Sequence, residues 1–210
     1  MDILIFGASG GTGHELVKQA LQNENRVIAF LRNPSKFRTT HPDLKVIQGN
    51  VKDYAAVQEA VQPHIAVLIA LGASSPFKRD MDLIQGMRNI VKAMKLKDAQ
   101  RIIYLSFAGV KDSQNQLGYI FRHTAVPLLR KAVKDHEAKE TIIKESSLQW
   151  TIVRPVVLTN GPHTGNFVSG EYLKPKLSKL MISRADVADF MLNQLTENSF
   201  LSKSVLLAKK

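Results

Sequence analysis

The segment Gly7-Ala8-Ser9-Gly10-Gly11-Thr12-Gly13 constrains this chain more than any other feature. It follows directly on the apolar run Ile3–Phe6 and opens the helical pattern His14–Leu21. A glycine at a strand end permits a tight turn, and a second lets backbone approach a pyrophosphate. A third lets helix and sheet pack closely, and the helix N-terminus attracts the anion. The spacing G-x-x-G-x-x-G is one of the dinucleotide variants, and the strand–turn–helix context strengthens it. The same residues also spell G-x-S-x-G around Ser9, the pattern of a hydrolase nucleophile elbow. Position argues against that reading: an elbow normally follows several strands, and only six residues precede Gly7.

The rest of the chain alternates in the way such a start requires. Val27–Leu31, Leu44–Ile47, Ile65–Leu71, Ile102–Leu105 and Trp150–Val153 are short, nearly continuous apolar runs, as parallel strands covered on both faces are. Tyr54–Val61, Asp80–Met94, Thr124–Lys144 and Arg184–Leu195 carry helical patterns, the last with Ser183 as N-cap. Ser204–Leu207 is a final strand. The pattern predicts one α/β domain over residues 1–210, a Rossmann-type doubly wound parallel sheet with a small C-terminal substrate loop region. That region is 160–179, rich in Gly, Pro, Lys and Asn. It follows the sixth strand, where an open α/β sheet presents its ligand crevice.

Composition excludes several classes. With no cysteine the chain has no disulfide, thiolate zinc site, iron–sulfur cluster or cysteine nucleophile, which fits a reducing cytoplasm. The longest apolar run, Ile65 to Leu71, is far short of a membrane span, and the early Asp2 without a basic flank argues against a signal peptide. The net charge of +11 is spread evenly over both halves, with no nucleic-acid-binding motif, so it is read as solubility and general attraction to anions, which a phosphorylated ligand explains as well as nucleic acid does. Metal ligation finds no pattern: His14-Glu15 and His136-Glu137 begin like H-E-x-x-H, but Lys18 and Glu140 fill the second histidine's place.

The end of the second strand speaks to the choice of dinucleotide. An NAD site usually carries an acid there to hold the ribose 2′-hydroxyl, yet no Asp or Glu lies between Asn25 and Pro42. The chain instead has Arg32, with Lys36 and Arg38 behind it. A guanidinium there pairs with a 2′-phosphate, which argues for NADP(H).

Taken together, GASGGTG, FLRNPSK, VIQGNVKD, RIIYLS, WTIVRP and ISRADVADFML resemble the NAD(P)H-binding atypical short-chain dehydrogenases, including the flavin reductase/biliverdin reductase B-like and NmrA-like proteins. The resemblance covers nearly the whole chain. It implies a Rossmann fold, NADP(H) and a substrate pocket over the nicotinamide. By position it implies that Gly7, Ser9, Gly10, Thr12 and Gly13, with Gly11 among them, hold the pyrophosphate, and that Arg32 holds the 2′-phosphate. Asn50 and Val51 would flank the adenine and Ala70, Leu71 and Gly72 the ribose. Ser106 would lie near the nicotinamide, with Arg154, Pro155 and Val156 beside its amide.

A proton donor is harder to assign. Typical short-chain dehydrogenases use Ser with Tyr-x-x-x-Lys. The string Tyr172-Leu173-Lys174-Pro175-Lys176 contains no usable pair, because Pro175 breaks the helix needed to align one. Tyr119, thirteen residues after Ser106, has a familiar spacing, with His123 where the lysine would be. Ser106 and Tyr119 are therefore the catalytic candidates. Biliverdin reductase B-like members carry a His where this chain has Val157. The expected activity is NADPH-dependent reduction of a small aromatic acceptor, a flavin or quinone. Phe167 and Tyr172 of the loop would stack on it, and Lys174, Lys176 and Lys179 would attract its anionic groups. The competing reading is an NmrA-like sensor that binds NADP(H) and a partner protein. A monomer or weak homodimer is expected.

Overall fold

The computed structural model describes every residue except Ser74 and Pro76, and every side chain except theirs and those of Lys36, Asp112, Ile120, Phe121, Arg122 and Ala125. The chain begins β1 (Asp2–Phe6), α1 (Gly11–Gln22), β2 (Arg26–Leu31), β3 (Leu44–Gln48), α2 (Tyr54–Ala60), β4 (Ala66–Ile69), α3 (Met81–Leu96) and β5 (Arg101–Leu105). It continues α4 (Tyr119–Leu128), α5 (Arg130–Lys144), β6 (Gln149–Pro155), β7 (Val157–Thr159), β8 (Phe167–Gly170), β9 (Met181–Ser183), α6 (Arg184–Asn193) and β10 (Lys203–Lys209). Eight strands form one sheet in the order β3-β2-β1-β4-β5-β6-β10-β8, and β7 pairs with β9 beside it. Every neighbour in the large sheet is parallel except β8, which runs antiparallel to β10.

Strand periodicity divides the core in two. Ile3 and Ile5 of β1 point to one face, where Leu16 and Val17 of α1 and Val187 and Met191 of α6 cover them. Leu4 and Phe6 point to the other, against Val57 of α2, Met87 and Ile90 of α3 and Ile143 of α5. Burying side chains of this size stabilises by about 1.5–3 kcal/mol each, which explains why the strands read as unbroken apolar runs. Local caps fix the helix starts. Asp53 accepts from the amides of Ala55 and Ala56, Asp80 from Leu83 and Ser183 from Asp186. Among the described residues no helix is long and apolar enough to cross a membrane.

Three expectations need correction. The fourth strand ends at Ile69, which releases Leu71 from the sheet. The helix expected over Thr124–Lys144 is two helices, broken at Leu129. Pro127 lacks the N–H that would continue the hydrogen-bond ladder, and the turn opens two residues later. The segment 160–179 is not one irregular loop. It contains β8, drawn to the sheet edge by its pairing with β10.

Candidate active site

The carboxyl ends of β1 and β4 meet where the chain order reverses, and this opens a crevice. The glycine loop forms its floor. Gly7 has φ +84°, and a Cβ there would lie 2.6 Å from the carbonyl oxygen of Ala70. The Gly10 amide donates to the Gly7 carbonyl at 3.0 Å and closes the turn. Gly10 then N-caps α1 with no side chain, and the first turn holds no acid, so the positive end of the helix is left open to an anion. Gly13 plays a different part. It is buried, and a Cβ on it would stand 2.0 Å from the Gly7 oxygen, so it packs helix against loop and does not face the crevice.

The crevice is a cleft of about 900 Å³. Gly7, Ser9, Gly10, Gly11 and Thr12 line its middle, and Arg32, Asn50 and Val51 line one end. The Arg32 guanidinium is exposed and has no hydrogen-bond or ion-pair partner among the described residues. The Lys36 side chain lies outside the described residues, and Arg38 is not part of the lining. The turn that carries Asn50 and Val51 is braced by a residue that the sequence reading did not single out. The buried Asn89 amide donates to the carbonyls of Val51 at 2.8 Å and Lys52 at 2.9 Å.

At the opposite end stand Ala70, Leu71 and Gly72 after β4, Ser106 and Phe107 after β5, and Ala132 and His136 on α5. Ser106 Oγ donates to Glu140 at 2.6 Å, and the wholly buried Glu140 also accepts from Arg154 Nε at 2.9 Å and Nη2 at 2.6 Å. Burying such a pair is costly and does not by itself argue for stability. Here it fixes Ser106 from below. Arg154 is thus beneath the cleft, not in it. Pro155 and Val156 do not line it either: the Pro155 carbonyl accepts from Ala108, and the Val156 amide donates to Leu207.

Tyr119 is not brought to Ser106. It is 77% exposed, packs with its ring tilted against His123 at a centroid separation of 4.2 Å, and lies outside the cleft lining. The break at Leu129 explains this, because α5, not α4, presents its face to Ser106. Ala132 and His136 are four residues apart on that face, the spacing of Tyr-x-x-x-Lys with neither residue present. His136 Nδ1 lies 2.7 Å from the Tyr104 hydroxyl. Burial, then the Lys139 ammonium, push the imidazole well below its ordinary range. Burial, then Glu140 and Asp135, push the Tyr104 phenol well above its own. Both are therefore neutral near pH 7. Lys139 is buried over the Tyr104 ring, and burial brings it down to about 8 against the opposing pull of Asp135 and Asp80. Asp135 accepts from Arg79 Nε at 2.6 Å and the Asp80 amide at 2.7 Å, pinning the segment before α3 to α5. Lys78 of that segment is an exposed cation on the cleft wall.

The segment 160–179 contributes nothing to the lining. Phe167 packs edge-on against Phe190 at 5.9 Å, Tyr172 is 91% exposed, and Lys179 Nζ donates to the Lys210 carbonyl at 2.6 Å. The start of the segment is tied down by Asp186, which accepts from Thr164 N, Thr164 Oγ1 and Gly165 N. Burial raises that carboxyl, but these bonds together with the Ser183 hydroxyl outweigh it and hold the group below its ordinary value. Leu158 and Arg184 reach the cleft from this side instead.

Known proteins resemble this chain in fold and family. YwnB of Bacillus subtilis (strain 168), an uncharacterised protein, is 26% identical over 202 residues, 93% of this chain and 92% of that protein. A short-chain dehydrogenase/reductase of Veillonella parvula, solved in complex with NADP, superposes with a TM-score of 0.84 at 21% identity, covering 99% of this chain and 94% of the other. ChuY, an anaerobillin reductase of Escherichia coli O157:H7, gives 0.83 at 21% identity over 100% and 97% of the two chains. These two likenesses speak to the fold. A family model described as NAD(P)H-binding matches residues 7–198, which takes in the glycine loop and every residue that lines the cleft. The chain belongs to the NAD(P)H-binding family.

Proposed function

We propose that the chain is an NADP(H)-dependent reductase of a small aromatic acceptor. One observation carries the reading: a single cleft runs from a guanidinium with no partner among the described residues, past an uncapped helix N-terminus, to the half-buried His136, which is backed by the buried Tyr104. The residues present fit the dinucleotide. Gly7, Ser9, Gly10, Gly11 and Thr12 leave room and amide donors for the pyrophosphate. Arg32 would hold the 2′-phosphate, Asn50 and Val51 the adenine, and Ala70 to Gly72 the ribose. Ser106 would then stand at the nicotinamide, held by Glu140, with Arg154 acting through Glu140 as a positioning residue. The bound cofactor supplies a hydride.

The chain's part at the acceptor is orientation and hydrogen bonding. Phe107 and Leu129 offer apolar surface, and Lys78 offers positive charge to an anionic group. The loop lysines, none of which lines the cleft, are not part of this reading. A neutral imidazole that accepts the Tyr104 hydroxyl at Nδ1 carries its hydrogen on Nε2. His136 would donate that hydrogen bond to an acceptor oxygen as negative charge builds on it, as a neutral histidine can. The name of one structural relative, an anaerobillin reductase, supports a reductase over other activities of this fold.

A specific observation keeps the sensor reading alive: the Tyr-x-x-x-Lys frame facing Ser106 is filled by Ala132 and His136. The test is oxidation of NADPH, followed at 340 nm, with FMN, menadione and biliverdin in turn. The reductase reading expects turnover with at least one. Tight NADPH binding with no turnover on all three would favour the sensor.

A further inference from the structure

Gly11 has no backbone reason to be glycine. Its φ is not in the left-handed region, and it is the first residue of α1, where glycine is a poorer helix former than alanine. The three atoms nearest to a Cβ built there all belong to one side chain: Arg184 Cδ at 2.7 Å, Nε at 2.8 Å and Cζ at 3.7 Å. The arginine lies flat across the start of α1, in the space a side chain at position 11 would take.

Arg184 is itself oddly placed. It is the first residue of α6, so its charge sits by the positive end of that helix, where a cation is disfavoured. No carboxylate among the described residues forms an ion pair with it. Asp186 is engaged by Thr164 and Gly165, and the one bond recorded for the Arg184 guanidinium goes from Nη1 to Asn160 Oδ1 at 2.6 Å. Among the described residues Nε and Nη2 have no acceptor and are free to donate. Among the described cations of the cleft, Arg184 is the one that lies against the glycine loop.

We propose that Arg184 binds the pyrophosphate of the cofactor, as a strap from α6 across the N-terminus of α1, and that Gly11 is glycine to let it lie there. A pyrophosphate bridge carries two negative charges, and a helix N-terminus answers about half of one. A guanidinium answers more, with paired donors suited to phosphate oxygens. The inference rests on the dinucleotide reading of the cleft but not on any acceptor. It divides the labour between two arginines: Arg32 distinguishes NADPH from NADH, and Arg184 serves both alike.

The experiment is calorimetric titration of the full chain with NADPH and with NADH, for the unaltered protein, Arg184→Gln, Gly11→Ala and the double variant. Arg184→Gln is expected to weaken both cofactors by the same factor, about tenfold or more, the effect of losing a charge-assisted contact. Gly11→Ala is expected to weaken both several-fold in the native background and to add nothing once Arg184 is gone. Melting temperature should hold or rise in Arg184→Gln, because a charge leaves the wrong end of a helix. Unchanged affinity overturns the proposal, and unchanged affinity with a lower melting point would mean that Arg184 only braces Asn160. An unaltered protein that binds neither nucleotide would remove the dinucleotide reading itself, a result distinct from normal binding that Arg184→Gln leaves untouched.

Discussion

Gly13→Ala should destabilise the fold although it improves the helix. The added Cβ would stand 2.0 Å from the Gly7 carbonyl oxygen, 2.7 Å from the Gly7 carbonyl carbon and 2.9 Å from Ala8 Cα, all of them backbone. That is about 1 Å or more inside ordinary contact, and no side-chain rotation relieves it. Helix α1 must move off the loop, and Leu16, Val17 and Ala20, all fully buried, must move with it. Overpacking of this kind costs about 1–3 kcal/mol, here at the upper end, against about 1 kcal/mol gained by replacing glycine in a helix. The net of about 2 kcal/mol should lower the melting temperature by about 4–8 °C in a domain of this size. Far-UV circular dichroism melts read it directly. Gly11→Ala is the internal control, since only the Arg184 side chain stands in its way, and it should melt no lower than the unaltered protein. A Gly13→Ala protein that melts at or above the unaltered one would refute the close-packing account of the third glycine.

Arg32→Glu should weaken NADPH by about 10- to 100-fold while changing NADH far less, measured by calorimetry, since only NADPH carries the 2′-phosphate. His136→Ala should lower turnover of any acceptor that is reduced while leaving the NADPH dissociation constant within about twofold; a matching loss in both would mean that His136 only shapes the cleft. Replacing Lys174, Lys176 and Lys179 together by Gln should leave the KM for FMN unchanged, and Lys78→Gln should raise it, in steady-state assays at low salt. Lys139, brought down to about 8, gives a signed pH dependence. Its charge is disfavoured in the folded state, so the penalty is fully present below about pH 8 and is relieved as pH rises toward the unfolded value near 10.5. Lys139→Met should therefore stabilise on the order of 2–3 kcal/mol at pH 7, in urea titrations, with the gain shrinking toward pH 10.

The fold was legible because its signals are local. Glycines at fixed spacing after an apolar run, and strands buried on both faces, follow from short-range sterics and burial, and the doubly wound sheet emerged from them. That the glycine loop and Arg32 would line one cleft was legible for the same reason, since both stand at strand ends. The acceptor end was not. That His136, not Tyr119, would line the cleft beside Ser106 required knowing that Pro127 and Leu129 would split the helix and turn α5, not α4, toward Ser106. His136 was visible only as half of a failed H-E-x-x-H string, although its spacing from Ala132 and Glu140 marks one helix face. The segment 160–179 was misread because its composition suggests a loop, whereas the pairing of β8 with β10 is a long-range contact that composition does not encode. Arg184 escaped notice because its partner, Gly11, lies at the other end of the chain.

The central claim is that this cleft binds a dinucleotide and selects the phosphorylated form through Arg32. Calorimetric titration of the unaltered protein with NADPH and NADH under identical buffer and salt tests it most directly. The account predicts one site per chain and tighter binding of NADPH by about tenfold or more. Equal affinity for the two would contradict the role of Arg32, and no binding of either would contradict the cleft's assignment altogether.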